Sequence, residues 1–111
     1  MAYDEQLAER VRDSLAHLGD VTEKRMFGGL AFLVGGAMAV TSSGEGGLMV
    51  RVGKERTEQL LDLPGVEAVV MRDRPMRGWV RVDTTELADD ADLERWVATG
   101  VRAARAAQGA T

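Results

Sequence analysis

Leu7, Val11, Leu15 and Leu18 recur at steps of four, four and three residues, the spacing of one buried stripe on an α-helix. Glu5, Glu9, Arg12 and Asp13 fall on the other side of that helix. Asp4 stands where an N-cap belongs and Gly19 where a helix stops, so a helix is predicted from about Asp4 to Leu18. The pattern then changes period. Leu30 to Val34 and Ala37 to Val40 are short apolar runs separated only by Gly35-Gly36. A two-residue hairpin turn needs positive φ, which glycine adopts without a Cβ clash. Folding there pairs Val34 with Ala37 and Leu33 with Met38. Strict alternation then puts Leu30, Phe32, Val34, Ala37 and Ala39 on one face, and Ala31, Leu33, Met38 and Val40 on the other. Both faces are apolar, so this hairpin is expected to be covered on both sides or to lie at a partner interface. The earlier pair, Gly28-Gly29, interrupts a strand-like segment and predicts a bulge or sharp bend.

Downstream, "SSGEGG" (42–47) reads as a flexible turn. In "LMVRV", Leu48, Val50 and Val52 alternate with Met49 and Arg51, a half-buried strand. Gly53 opens a shorter helix, "KERTEQLLDL", that Pro64-Gly65 stops. "VEAVV" (66–70) predicts a strand, "MRDRPMRG" (71–78) a loop, and "WVRVD" (79–83) a strand with Val80 and Val82 inward. Leu93, Trp96, Val97, Val101 and Ala104 form a last helical stripe. Asp89, Asp90, Asp92 and Glu94 crowd its start, with Arg102 and Arg105 near its end, as the helix dipole favours. Gly100 falls on the stripe, where a missing side chain permits close approach to the sheet. The predicted order is α-β-β-β-α-β-β-α. That order is an α+β domain with a mainly antiparallel sheet packed by helices. There is no internal repeat, and 111 residues are the length of a single domain, 1–111, with an ordered core of about 3–105.

Charge adds a polarity to this plan. The chain carries a net −4, yet residues 24–82 hold nine bases against six acids, while the segments on either side are acidic. So modest a field does not imply a DNA-binding groove. The sequence contains no cysteine, which excludes disulfides, thiolate metal sites and a cysteine nucleophile. The start, "MAYDEQLAER", is charged and helical in pattern with no apolar signal region, and no apolar run is long enough to span a bilayer, so the expected location is the cytoplasm, without membrane contact.

Candidate chemistry is sparse. His17 is the sole histidine and reads as a surface group near a helix end. Asp89, Asp90 and Asp92 read as helix-start residues in preference to a magnesium site. "GGLMVRVGKE" fails as a phosphate loop, because Leu48 occupies the required glycine and Glu55 follows Lys54. Ser42 and Ser43 have no base nearby in sequence. No catalytic residue, metal site or cofactor is expected, and the chain is read as a non-enzyme, with an undetected enzymatic or small-molecule role as an alternative. Two binding candidates remain. Arg72, Arg74 and Arg77 surround Pro75-Met76 and carry planar forks suited to carboxylates or phosphates. Met49, Arg51, Trp79 and Arg81 are outward alternates that share a sheet face if their strands pair, and these residue types are enriched at protein interfaces. The alternative for Trp79 is burial as core beneath the final helix.

"EKRMFGGLAFLVGGAMAV", "LMVRVG" followed by a short helix ending in "PG", and "RPMRGWVRVD", in this order, resemble the N-terminal domain of the TfoX/Sxy family. The resemblance covers about residues 3 to 105. It implies an α+β fold similar to that of type III secretion chaperones, a fold often seen as dimers. Its best-known members are bacterial regulators of natural competence that act as transcriptional coactivators. Arg25, Met26, Phe27, Gly28 and Gly29 match one family signature; Pro75, Met76, Arg77, Gly78 and Trp79 match a second. No catalytic role attaches to these positions. The expectation is that they are shared for shape, with Phe27 and Trp79 filling the core and Gly28, Gly29 and Gly78 permitting bends. Two-domain members continue into a helical C-terminal domain, whereas this sequence resembles a stand-alone N-terminal domain. The expected function is thus a protein-interaction module, homodimeric, in transcriptional regulation with a protein partner. Direct nucleic-acid binding through residues 72–77 is the alternative.

Overall fold

The structure, a computed structural model, describes residues 3–109 apart from Phe27. The elements are α1 (Glu5–Ser14), β1 (Val21–Met26), β2 (Gly29–Val34), β3 (Ala37–Ser42), β4 (Leu48–Arg51), α2 (Thr57–Leu61), β5 (Val66–Met71), β6 (Arg74–Val82), a 3₁₀ turn at Thr84–Leu87 and α3 (Asp90–Gly109). This is the expected α+β fold, with an additional strand, β1, ahead of β2. All six strands join one antiparallel sheet in the order β1-β2-β3-β4-β6-β5. β1 escapes a reading by periodicity because it is an edge: Thr22, Glu23, Lys24 and Arg25 are all exposed, and charge on an edge strand discourages pairing with other chains.

One face of the sheet carries the main core. Across it run the rows Leu30–Ser42–Leu48–Val82–Val66 and Phe32–Val40–Val50–Val80–Ala68. Leu7, Ala8 and Val11 of α1, Leu15 just beyond its end, Leu87, and Leu93 and Val97 of α3 close over these rows. Leu60 and Leu61 of α2 pack against the same cluster. Asp4 caps α1 by accepting the Leu7 N–H at 3.1 Å. That helix ends at Ser14, and one further turn closes with the Leu18 N–H on the Leu15 carbonyl at 3.0 Å. The stripe is buried to Leu15 and half-buried at Leu18, while the helix proper is shorter than expected and Gly19 takes no left-handed cap conformation.

The Gly35-Gly36 hairpin forms with both glycines at positive φ and with Leu33 opposite Met38 and Val34 opposite Ala37. Beyond it the alternation breaks. Phe32 faces Val40, so Ala39 is an extra residue, a β-bulge. Val40 consequently joins Phe32 on the helix side, which corrects its expected place on the opposite face. α3 lies on this bulge. A Cβ built on Gly100 would stand 2.6 Å from the Ala39 carbonyl oxygen and 2.7 Å from Val40 Cγ1. The expected close approach of helix to sheet is thus met at backbone contact.

Two ion pairs tie the helices to the β1 region. Arg12 of α1 reaches Glu23 of β1 through Nε and Nη2 at 2.6 and 2.8 Å. Arg105 of α3 grips Asp20 at 2.7 and 3.2 Å. The hydrogen bonds from Arg105 and from Arg12 hold the Asp20 and Glu23 carboxyls below their usual range. Depressed carboxyl values stabilise the fold above the unfolded pKa of about 4 and lose that contribution as pH falls through the folded value. Melting temperature should therefore decline as pH drops from about 5 to about 3, and an Arg12→Gln/Arg105→Gln variant should show a flatter decline. The bulge contact gives a second expectation. Alanine in a helix is normally worth about 0.5–1 kcal/mol over glycine, but Gly100→Ala should destabilise this protein by about 1–3 kcal/mol in urea unfolding. A gain in stability would show that α3 does not press on Ala39 and Val40.

Candidate interaction face

The other face of the sheet has a different composition. Its central row runs Lys24–Ala31–Thr41–Met49–Arg81–Glu67, and beside it lie Leu33 with Met38 and Arg51 with Trp79. Pairing of β4 with β6 thus brings Met49, Arg51, Trp79 and Arg81 onto one face, Met49 opposite Arg81 and Arg51 opposite Trp79. The Arg51 guanidinium stands over the Trp79 ring, 5.3 Å from its centroid, a cation–π contact that leaves the charge usable by a partner. Trp79 is core, but not beneath α3. It packs with Met49 and Val69, flanked by half-buried Met38, Met71 and Met76, and no helix residue belongs to that cluster.

What covers Trp79 is the β5–β6 hairpin itself. The expected loop at 71–78 is largely strand: β6 begins at Arg74, and the turn is just Arg72-Asp73, both at positive φ (52° and 64°). Two consecutive left-handed residues make the turn whose twist suits a two-residue hairpin, which is why so short a connection suffices. Arginine is a poor indicator of that conformation, so sequence alone reads a loop. Lower in the hairpin the register shifts. Ala68 faces Val80, yet Val70 faces Pro75, so β6 carries extra residues between Pro75 and Val80. The excursion bends the hairpin over the face and buries Val69.

Gly78 is the pivot of the excursion. Its φ of +96° is one that side-chain-bearing residues rarely adopt. Its N–H donates to Thr57 Oγ1 at 2.8 Å, and that hydroxyl donates to the Gly53 carbonyl at 2.9 Å. Its carbonyl accepts from Val52 N at 2.7 Å and Gly53 N at 3.2 Å. The bend is thereby fastened to the segment leading into α2, which coils through turns before becoming helical at Thr57 and so starts later than its sequence suggests.

Arg72, Arg74 and Arg77 are all exposed along this hairpin, and none forms an ion pair among the described residues. Lys54 and Arg56, on the segment that contacts Gly78, are exposed and unpaired too. Arg81 is held differently, by Glu45 of the β3–β4 turn at 2.6 Å. Arg25, Met26, Gly28 and Gly29 lie at the opposite edge of the sheet from Pro75, Met76, Gly78 and Trp79, so the two sequence signatures do not form one site. Gly28 has the positive φ of a turn between β1 and β2, and at Gly29 a Cβ would lie 2.2 Å from the Ser42 carbonyl oxygen. Phe27, expected in the core, lies outside the described residues.

A family model described as the TfoX N-terminal domain matches residues 13–104. The chain belongs to this family. The match spans every strand and α2, and takes in both hairpins that shape the helix-free face. No curated protein and no solved structure matches the chain. Elsewhere, His17 is exposed at the rim of a groove of about 740 Å³ between α1 and α3, floored by Leu15, Leu18, Val97 and Val101. Among the described residues no group of three or more His, Asp or Glu side chains is placed to hold a metal ion. Asp89 accepts the Ala91 N–H at 2.9 Å, the local bond of a helix start. No helix among the described residues is long and apolar enough to cross a membrane.

The Thr57–Gly78 link makes the shape of this TfoX N-terminal domain testable. Thr57→Val leaves a buried N–H without an acceptor and should cost about 1–3 kcal/mol. It should also loosen the hairpin, read as faster amide exchange at residues 69–79 than in α1. Uniform acceleration across both regions would show that Thr57 does not specifically fasten this bend.

Proposed function

We propose that this TfoX N-terminal domain is a non-enzymatic interaction module that works in transcriptional regulation, as a homodimer that engages a further protein. The observation that carries this reading is the helix-free sheet face. Half-buried Met38, Met71 and Met76, with Arg51 stacked on the ring, surround the buried Trp79, and methionine and arginine are side-chain types enriched at protein interfaces. Methionine contributes adaptability, since its unbranched thioether repacks against differing surfaces. The exposed arginines of the β5–β6 hairpin border the same face and supply charged forks for acidic groups on the partner. Family membership supports the regulatory context, in line with the resemblance to competence coactivators.

A second reading rests on a separate observation, the exposed Arg72, Arg74 and Arg77 along the β5–β6 hairpin with Lys54 and Arg56 on the segment joined to it at Gly78, none of them ion-paired among the described residues. Such a cluster suits nucleic-acid phosphates. If it binds duplex DNA, affinity should fall by about 0.9 log units per phosphate contact for each log unit of salt. Lack of binding at low salt, or an Arg74→Glu/Arg77→Glu variant that binds as well as wild type, would eliminate it.

For the leading reading, light scattering after size exclusion should give a dimer at tens of micromolar, and a strictly monomeric species there would contradict it. Pull-down from the native cell should recover a regulator that Arg77→Glu no longer captures.

A further inference from the structure

The guanidinium of Arg81 is only half satisfied. Its Nη2 donates to Glu45 Oε2 at 2.6 Å, while its Nε–H is buried and finds no acceptor. These two donors lie side by side on the guanidinium edge and together fit the two oxygens of one carboxylate. Glu45 uses only one of them. Its side chain is 74% exposed, against 21% for Arg81, and it stands on a turn in which Gly46 and Gly47 both have positive φ. An ion pair so exposed on one side contributes little and is readily exchanged for another.

Beside this pair lies a groove of about 440 Å³ between the β3–β4 turn and the tip of the β5–β6 hairpin, lined by Ser43, Met49, Val69, Met71, Arg72 and Arg81, with Glu45 at its side. Its floor is apolar and largely buried. Arg72 brings a second cation, with no ion-pair partner among the described residues. Ser43 Oγ accepts the Glu45 N–H at 3.1 Å and has its own proton left to donate. On the far side of Arg81 the surroundings reverse: a second groove holds Asp4, Glu45, Glu67 and Asp83. An anion is therefore repelled from that side and drawn to Arg81 only from the side of Met49 and Arg72.

We propose that the groove between the β3–β4 turn and the β5–β6 tip binds a carboxylate carried on an apolar body, with Arg81 as its fork and Glu45 as a built-in competitor. The ligand carboxylate takes Nε and Nη2 of Arg81 together and Glu45 swings into solvent. Arg72 and Ser43 complete the anion's shell, and the apolar body lies on Met49, Val69 and Met71. The same chemistry is offered by a small free acid and by an acidic side chain between apolar residues of a peptide.

The Nε–H of Arg81 gives a direct readout in nitrogen–proton correlation spectra of the whole chain, titrated with hexanoate, with acetyl-Leu-Glu-Leu-amide and with acetate. Hexanoate or the peptide should shift the Arg81 Nε–H signal saturably, the tighter of the two marking the source as free acid or peptide. Acetate should bind about ten-fold more weakly or worse, because it buries fewer methylene groups. Glu45→Gln, a change on an exposed turn, should tighten binding about two- to five-fold by removing the competitor, while Arg81→Gln, followed through the backbone amide signals of Met49 and Val69 in the groove, should abolish it. The proposal fails if neither hexanoate nor the peptide gives a saturable shift at roughly 20 mM, a concentration that reveals even millimolar affinity. It fails equally if acetate binds as well as hexanoate, or if Glu45→Gln binds no more tightly than wild type.

Discussion

Helix α3 comes down on the bulge of β3 at Gly100, and this contact sets the geometry of the whole domain. Backbone meets backbone there, with the Ala39 carbonyl where a side chain would have been. A helix so close to a sheet leaves no room for slippage. Leu93 and Val97 must enter the core beside Phe32 and Val50, and Ala104 must meet Val34 and Ala39. The bulge contributes by turning Ala39 and Val40 to the same side, which enlarges the apolar area under the helix. With α1 and α2 covering the remainder, the first face of the sheet is fully committed to folding.

That commitment leaves the opposite face to be covered by the sheet's own strands. The β5–β6 hairpin bends over it at Gly78, and Thr57 fastens the bend. Cover of this kind is incomplete, because a two-stranded ribbon is narrower than a pair of helices. Methionines fill its borders, and Arg51 lies on Trp79. The resulting surface is partly apolar, bordered by the exposed arginines of the β5–β6 hairpin and by methionines that can repack.

Charge follows the same division. The acidic residues of α1, the 3₁₀ turn and α3 lie on the helix layer, where several serve caps or ion pairs such as Arg10 with Asp90. Unpaired bases gather at the β5–β6 hairpin and the segment before α2. A net negative chain is thus locally basic in its middle, residues 24–82, which hold nine bases against six acids.

Local periodicity was enough to locate the helices, the Gly35-Gly36 hairpin, the buried stripe with Gly100 and the alternation of β4, because burial on one side imprints a repeat on neighbouring residues. It also set Met49 and Arg51, and Trp79 and Arg81, on alternates opposite the inward valines, but only the pairing of β4 with β6 brings the four onto one face. β1 was invisible, since an edge strand with exposed charges leaves no apolar repeat. Three features were decided only by tertiary structure. The bulge that turns Val40 inward lies against Gly100 of α3, some sixty residues away in sequence. The hairpin at 66–82 depends on two left-handed residues, Arg72 and Asp73, whose types do not announce that conformation. The pairing of Arg81 with Glu45, and the donor it leaves unfilled, comes from strands that meet only in the folded sheet. A residue's own period reports which side it faces; what stands opposite is set by distant segments, and the chemistry of this face resides there.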